Sequence, residues 1–138
     1  MPDKSTKFLN DTNLFVAAVK SGKTKSTELL LMLIDGPWDL VADDILISEY
    51  ERYSQKFDAR EFFNVLKRKV IMIEQSEEDI LKCKPYFLPR SSADIVHAAA
   101  CLHTGAVLIT NDAHFDRIRD AGIIVVWSIS DAIMRIIK

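Results

Sequence analysis

A chain of 138 residues, 49% hydrophobic and 28% charged, is globular and long enough to bury a core without staples. Its net charge of −2 excludes a polycation that coats nucleic acid, so any such contact must come from a local basic patch. The start, MPDKSTK, has no apolar stretch behind it, and Cys83 and Cys101 have no partner spacing, so the expectation is a reduced, cytoplasmic protein of one domain over residues 1–138.

In chain order, residues 8–10 read as a first strand ended by Asp11, followed by a turn and a short apolar stretch at 14–19. The polar run 21–26 leads into a helix over 27–34, stopped by Gly36-Pro37. Within it lies the longest aliphatic run, 29–34, far short of the about 20 residues that cross a bilayer, so no membrane is expected. Residues 40–42 form a short strand, and Asp43 or Asp44 caps a helix over 45–55. Asp58 opens a helix over 60–68, and 70–73 is an aliphatic strand. The acidic start Ser76-Glu77-Glu78-Asp79 carries a helical segment over 80–84. Ser91 or Ser92 caps a helix over 93–104, with Gly105 placed to end it. Residues 106–110 and 123–127 are the last strands, and Asp131 begins a final short helix. Strands that are continuous aliphatic runs, alternating with helices, imply a mainly parallel sheet covered on both faces, a three-layer α/β/α sandwich.

Four carboxylates break these patterns. Asp11 and Asp112 each end an apolar strand, at the sheet edge where open α/β folds bind ligands. Glu49 shares a helical face with Ile45, Leu46 and Tyr53, and Asp94 borders the stripe Ile95, Ala98, Ala99 and Leu102. Each has an ordinary explanation taken alone. Glu49 can extend its head to solvent, Asp94 can complement the helix dipole, and the strand-end acids can close local turns. Together they are better explained by one shared pocket, because buried carboxylates without matching cations are costly. Hard oxygen donors with no accompanying cysteine or histidine point to Mg²⁺ or Mn²⁺ rather than zinc. His97 and Cys101 lie one turn apart, but nothing supplies the remaining zinc ligands, so they read as a helix face. The four glycines form neither a dinucleotide fingerprint nor a phosphate-cradling loop, and no nucleophile elbow is present.

The segments FLNDTNLFV, the Glu49 helix, SSADIVHAAACLHTGAVLITND and HFDRI resemble a PIN domain, the fold of many small metal-dependent ribonucleases. The resemblance covers nearly the whole chain, and its most specific part runs from Asp94 through Asp112. It implies that Asp11, Glu49, Asp94 and Asp112 are catalytic carboxylates binding one or two Mg²⁺ or Mn²⁺ ions, with RNA as substrate. Asn13, Thr110 and His114 are expected to orient them. Many family members place a further acid where His114 stands; here the next acid is Asp116, a candidate ligand if a helix starts there. Lys20, Lys23, Lys25, Arg52, Arg90 and Arg117 are close enough in sequence to line a phosphate track. The size resembles the toxin nucleases of VapBC pairs, which implies a VapB-like antitoxin partner. The surplus of apolar side chains in the first half, among them Leu29, Leu30, Met32, Leu33, Ile45 and Phe62, further suggests a groove for a partner helix and a homodimer.

Other readings compete. A housekeeping PIN nuclease would have the same site without an antitoxin, and a PIN fold kept as a binding module would have no activity. A haloacid-dehalogenase-like phosphatase needs a second acid where Asn13 sits, and a receiver-like domain needs a late-strand lysine that is not evident.

Overall fold

The computed structural model describes residues 1–89 and 91–137. Five strands, β1 (Lys7–Asn10), β2 (Asp39–Ala42), β3 (Val70–Met72), β4 (Val107–Ile109) and β5 (Val126–Trp127), form one sheet in the order β3-β2-β1-β4-β5. Every neighbouring pair is parallel, so the sheet is parallel throughout rather than mainly so. Phe8 and Leu9 of β1 and Val107 to Ile109 of β4 are buried, which explains their unbroken apolar sequence: side chains on both faces meet helices.

The helices are α1 (Thr12–Ser21), α2 (Lys25–Asp35), α3 (Asp44–Lys56), α4 (Arg60–Lys69), α5 (Glu77–Cys83), α6 (Ser92–Thr104), α7 (Asp116–Asp120) and α8 (Ile129–Ile136). Single 3₁₀ turns occupy Lys84–Tyr86 and Ala113–Phe115. The chain steps outward from β1 to β3 through α1–α4, then returns over the sheet through α5 and α6 to β4. Right-handed crossovers put the outward and returning helices on opposite faces. In the packing, α1 meets α2 and α3, α2 meets α8 and α3 meets α4, whereas α5 meets α6, and α3 and α6 also touch. The outcome is the expected α/β/α sandwich. Among the described residues no helix is long and apolar enough to cross a membrane.

Boundaries differ from expectation where caps decide them. No separate turn precedes α1, because Asp11 is itself the cap. Helix α2 starts at Lys25 because Thr24 and Thr27 cap one another: each backbone N–H donates to the other's hydroxyl, at 3.2 and 3.3 Å. Helix α8 starts before Asp131, whose N–H donates to the Ser128 hydroxyl at 3.0 Å. Strand β5 keeps only two residues of the expected five, since it pairs with three-residue β4 alone.

Candidate active site

Strands β1 and β4 are neighbours in the sheet, and the chain leaves their carboxyl ends in opposite directions. This switch point is where open α/β sheets leave room for a ligand. A cleft of about 570 Å³ opens there, its wall including Asp11, Asn13, Lys20, Glu49, Asp94, His97 and Asp112. All four carboxylates singled out in the sequence thus face one space.

Asp11 stands just beyond β1 and is 7% exposed. Its carboxylate accepts the Thr12 backbone N–H at 2.8 Å, the Thr110 hydroxyl at 2.7 Å and the Asn13 amide at 3.4 Å. The Asn13 amide also donates to the Thr110 hydroxyl oxygen at 3.1 Å, tying the ends of β1 and β4 together. Burial raises the Asp11 pKa, against the pull of the Thr110 hydrogen bond. Asp112 lies two residues past Thr110, and its N–H donates to the Thr110 hydroxyl oxygen at 2.9 Å. The Asp112 carboxylate accepts the His114 backbone N–H at 2.9 Å. Local turn chemistry and the shared cleft are therefore both present at these two acids.

Asp94 sits in the first turn of α6, with its side chain 20% exposed. His114 Nδ1 lies 3.0 Å from Asp94 Oδ2 and 3.4 Å from Asp112 Oδ1. Burial raises the Asp94 pKa, the His114 hydrogen bond opposes the rise, and the Asp112 charge adds to it. The hydrogen bond to Asp94, joined by the Asp112 charge, raises that of His114.

Glu49 departs from the expected picture. The buried stripe of α3 is Leu46, Tyr50 and Ser54, while Ile45 is 39% exposed, so Glu49 flanks the stripe. Its head does not reach for solvent: Oε1 lies 3.1 Å from His97 Nε2. The other ring nitrogen, Nδ1, is 2.6 Å from Asp43 Oδ2, and Asp43 Oδ1 accepts the Leu46 N–H at 2.8 Å as the cap of α3. Asp43 and His97 are each 1% exposed. A ring with a carboxylate on each nitrogen donates twice as an imidazolium. Desolvation pulls the His97 pKa down, but the bonds to Asp43 and Glu49 outweigh it and push it up to about 10. The same His97 bond holds the Glu49 carboxyl below its ordinary range, against its burial.

This Asp43–His97–Glu49 chain is not visible in the sequence, where Asp43 reads as a cap alone and His97 as part of a helix face. The available signal was local: His97 lies one turn past Asp94 on a helix of small residues.

Several other expected residues lie elsewhere. Asp116 is not on the cleft wall and pairs with Arg119 at 3.3 Å. Lys20 lines the cleft. Arg52 stacks over the Tyr53 ring at 4.6 Å, and Tyr53 is part of the wall. Lys25 pairs with Glu28, Lys23 lines a separate groove, and Arg117 lines a smaller one beside His114. Arg90 lies outside the described residues.

A family model for the PIN domain matches residues 8–121. The chain belongs to the PIN domain family. The match runs from β1 through α7 and includes every carboxylate of the cleft. The PIN fold here is shared with VapBC2 from Rickettsia felis, solved bound to a DNA fragment from its promoter. That likeness has 16% identity and a TM-score of 0.64, over 89% of this chain and 98% of the other. VapBC-1 from nontypeable Haemophilus influenzae is similar at 18% identity and a TM-score of 0.64, over 91% and 99% of the two chains. No curated protein matches this PIN domain by sequence.

The donor set fits a divalent cation. No thiol lines the cleft, and Cys83 and Cys101 are buried elsewhere. Glu49 and Asp43 share one imidazolium and so keep one negative charge between them, and Asp11, Asp94 and Asp112 add to it against His114 and a single lysine on the wall. A surplus of hard anionic oxygens at the sheet edge suits Mg²⁺ or Mn²⁺.

Proposed function

We propose that the chain is a metal-dependent endoribonuclease, a cytoplasmic toxin nuclease of the VapC type acting as one domain. The observation that carries this reading is the convergence of Asp11, Glu49, Asp94 and Asp112 on one cleft at the switch point of a PIN fold.

In this reading Asp11, Asp94 and Asp112 hold Mg²⁺ or Mn²⁺, with Glu49 as the fourth catalytic carboxylate. The ion, when bound, acidifies a water and neutralises charge on the scissile phosphate. The chain's own residues set the geometry. Thr110 and Asn13 fix the Asp11 carboxylate between two strand ends, so it cannot rotate without losing three hydrogen bonds. Asp43 and His97 hold Glu49 in place on the cleft wall through one imidazole ring. Held ionised by His97, Glu49 is available to accept a proton from an attacking water. Lys20 adds positive charge to a cleft that must admit a polyanion.

A VapB-like antitoxin belongs to the same proposal, supported by the fold shared with two VapBC structures. Much of the apolar surplus in the first half is core: Leu29, Leu30, Leu33, Leu46 and Phe63 are buried. What remains is a groove of about 630 Å³ with Leu31, Ile34, Phe62 and Val65 on its wall, suited to an amphipathic partner helix or a second copy of the chain.

Purified protein is expected to cut single-stranded RNA with Mg²⁺ or Mn²⁺ and to stop in chelator. Equal cleavage in chelator, or no cleavage with either ion, would remove the nuclease reading. Co-expression with a small neighbouring reading frame, followed by co-purification and sedimentation, tests the antitoxin and the homodimer.

A further inference from the structure

His114 stands apart from the other polar residues of the site. Its side chain is 59% exposed on the wall of a small groove shared with Tyr86, Phe87 and Leu88, and its polar contacts are the two acids. Nδ1 lies 3.0 Å from Asp94 Oδ2 and 3.4 Å from Asp112 Oδ1, and one donor atom from each of the three residues falls within 4.8 Å of the others. Donors on a six-coordinate cation with bonds of about 2.1 Å sit about 3.0 Å apart at adjacent vertices and about 4.2 Å at opposite ones. The imidazole nitrogen therefore already has adjacent-ligand spacing to Asp94 and nearly so to Asp112.

Its backbone is anchored to the same place, because the His114 N–H donates to Asp112. His97, the histidine on the cleft wall, offers no free nitrogen: both of its ring atoms are engaged by Asp43 and Glu49. Of the three histidines, His114 is the one whose ring nitrogen faces Asp94 and Asp112.

We propose that His114 is a direct nitrogen ligand of the cation held by Asp94 and Asp112, and that it gives the centre a preference for Mn²⁺ and later transition ions over Mg²⁺. Mg²⁺ takes oxygen donors and retains its waters, whereas imidazole favours the transition series in rising order from Mn²⁺. The inference rests on the reading of the cleft as a metal centre, and it makes the ion's identity depend on one exposed side chain.

Metal binding by the chelator-stripped chain, followed calorimetrically at one fixed pH with Mn²⁺ and separately Mg²⁺, tests it without recourse to cleavage. The wild type is compared with His114→Ala and with His114→Asp, which makes the donor set all oxygen. The ratio of Mn²⁺ to Mg²⁺ affinity is expected to fall by about tenfold or more in both variants, at least the scale on which even residues that only orient a ligand act on metal affinity. In Mn²⁺-loaded wild type, pulsed electron paramagnetic resonance is expected to show imidazole nitrogen coupling that disappears in both variants. An unchanged affinity ratio, or nitrogen coupling that is absent from the wild type or survives in His114→Ala, would overturn the assignment of His114 while leaving the metal centre intact. Failure of either ion to bind the wild type would instead overturn the metal centre, and this inference with it.

Discussion

His97 and His114 each stand between two carboxylates and each reaches acids of the cleft wall, yet their surroundings differ. His97 is buried with Asp43 inside the contact of α3 with α6, and its two nitrogens are both engaged. His114 lies on a short turn after β4, and one nitrogen faces both acids. Burial makes the first pairing obligatory, because an acid left alone in the interior has no water to solvate it. Exposure makes the second pairing exchangeable, since water or a cation can replace either partner. The same residue type therefore stiffens one half of the site and leaves the other half open to a ligand.

The sharpest way to break this contrast is to remove the buried cation. His97→Ala leaves Asp43 charged and unpaired in the core, and is expected to destabilise the protein by about 3–5 kcal/mol in urea titration. It should also cost cleavage, because Glu49 loses its anchor. A loss below about 1 kcal/mol would mean that the buried chain is no more demanding than a surface pair.

The pH dependence separates the two halves next. The folded His97 pKa, about 10, lies above its unfolded value of 6.5, so its contribution is complete below pH 6.5 and declines until pH passes about 10. Glu49 has the opposite sign: its folded pKa is depressed, so its contribution is present above about 4.5 and is lost as pH falls through the folded value. The stability gap between wild type and His97→Gln should therefore narrow on going from pH 7 to pH 10. A gap that widens over that range would contradict the imidazolium.

On the open side, Asp94→Asn and Asp112→Asn are expected to abolish cleavage yet leave the metal-free protein as stable as wild type, or more stable by about 1 kcal/mol. Burial and the neighbouring Asp112 already disfavour the ionised form of Asp94, so removing a charge relieves the pocket. Each variant should also lose most of the stabilisation that Mn²⁺ confers by mass action. Thermal melts with and without Mn²⁺ check both statements. The smallest effect belongs to Asp116→Asn, off the cleft wall and paired with half-exposed Arg119; cleavage and melting temperature should both match wild type.

Much of the site was legible because its acids violate local patterns. Asp11 and Asp112 follow apolar strands, and Asp94 opens a helix of small residues, so periodicity alone marks them as placed rather than incidental. Glu49 was marked for a partly mistaken reason. The buried stripe is set by Leu46 and Tyr50, whose hydroxyl donates to the Asn10 carbonyl, and not by Ile45. Asp116 shows the limit of proximity: a helix does start there, as the ligand reading requires, but its carboxylate pairs with Arg119 of the same helix and is not on the cleft wall.

The sequence by itself determined the alternation of strands and helices, the parallel sheet and the carboxylates at its edge, since each is written in runs a few residues long. Only the tertiary structure decided that Asp43 and His97, 54 positions apart, close on one another and hold Glu49 in place. The reason is physical. A strand or helix is specified by neighbours along the chain, whereas a buried ion pair exists because two distant segments are pressed together and water is driven out between them.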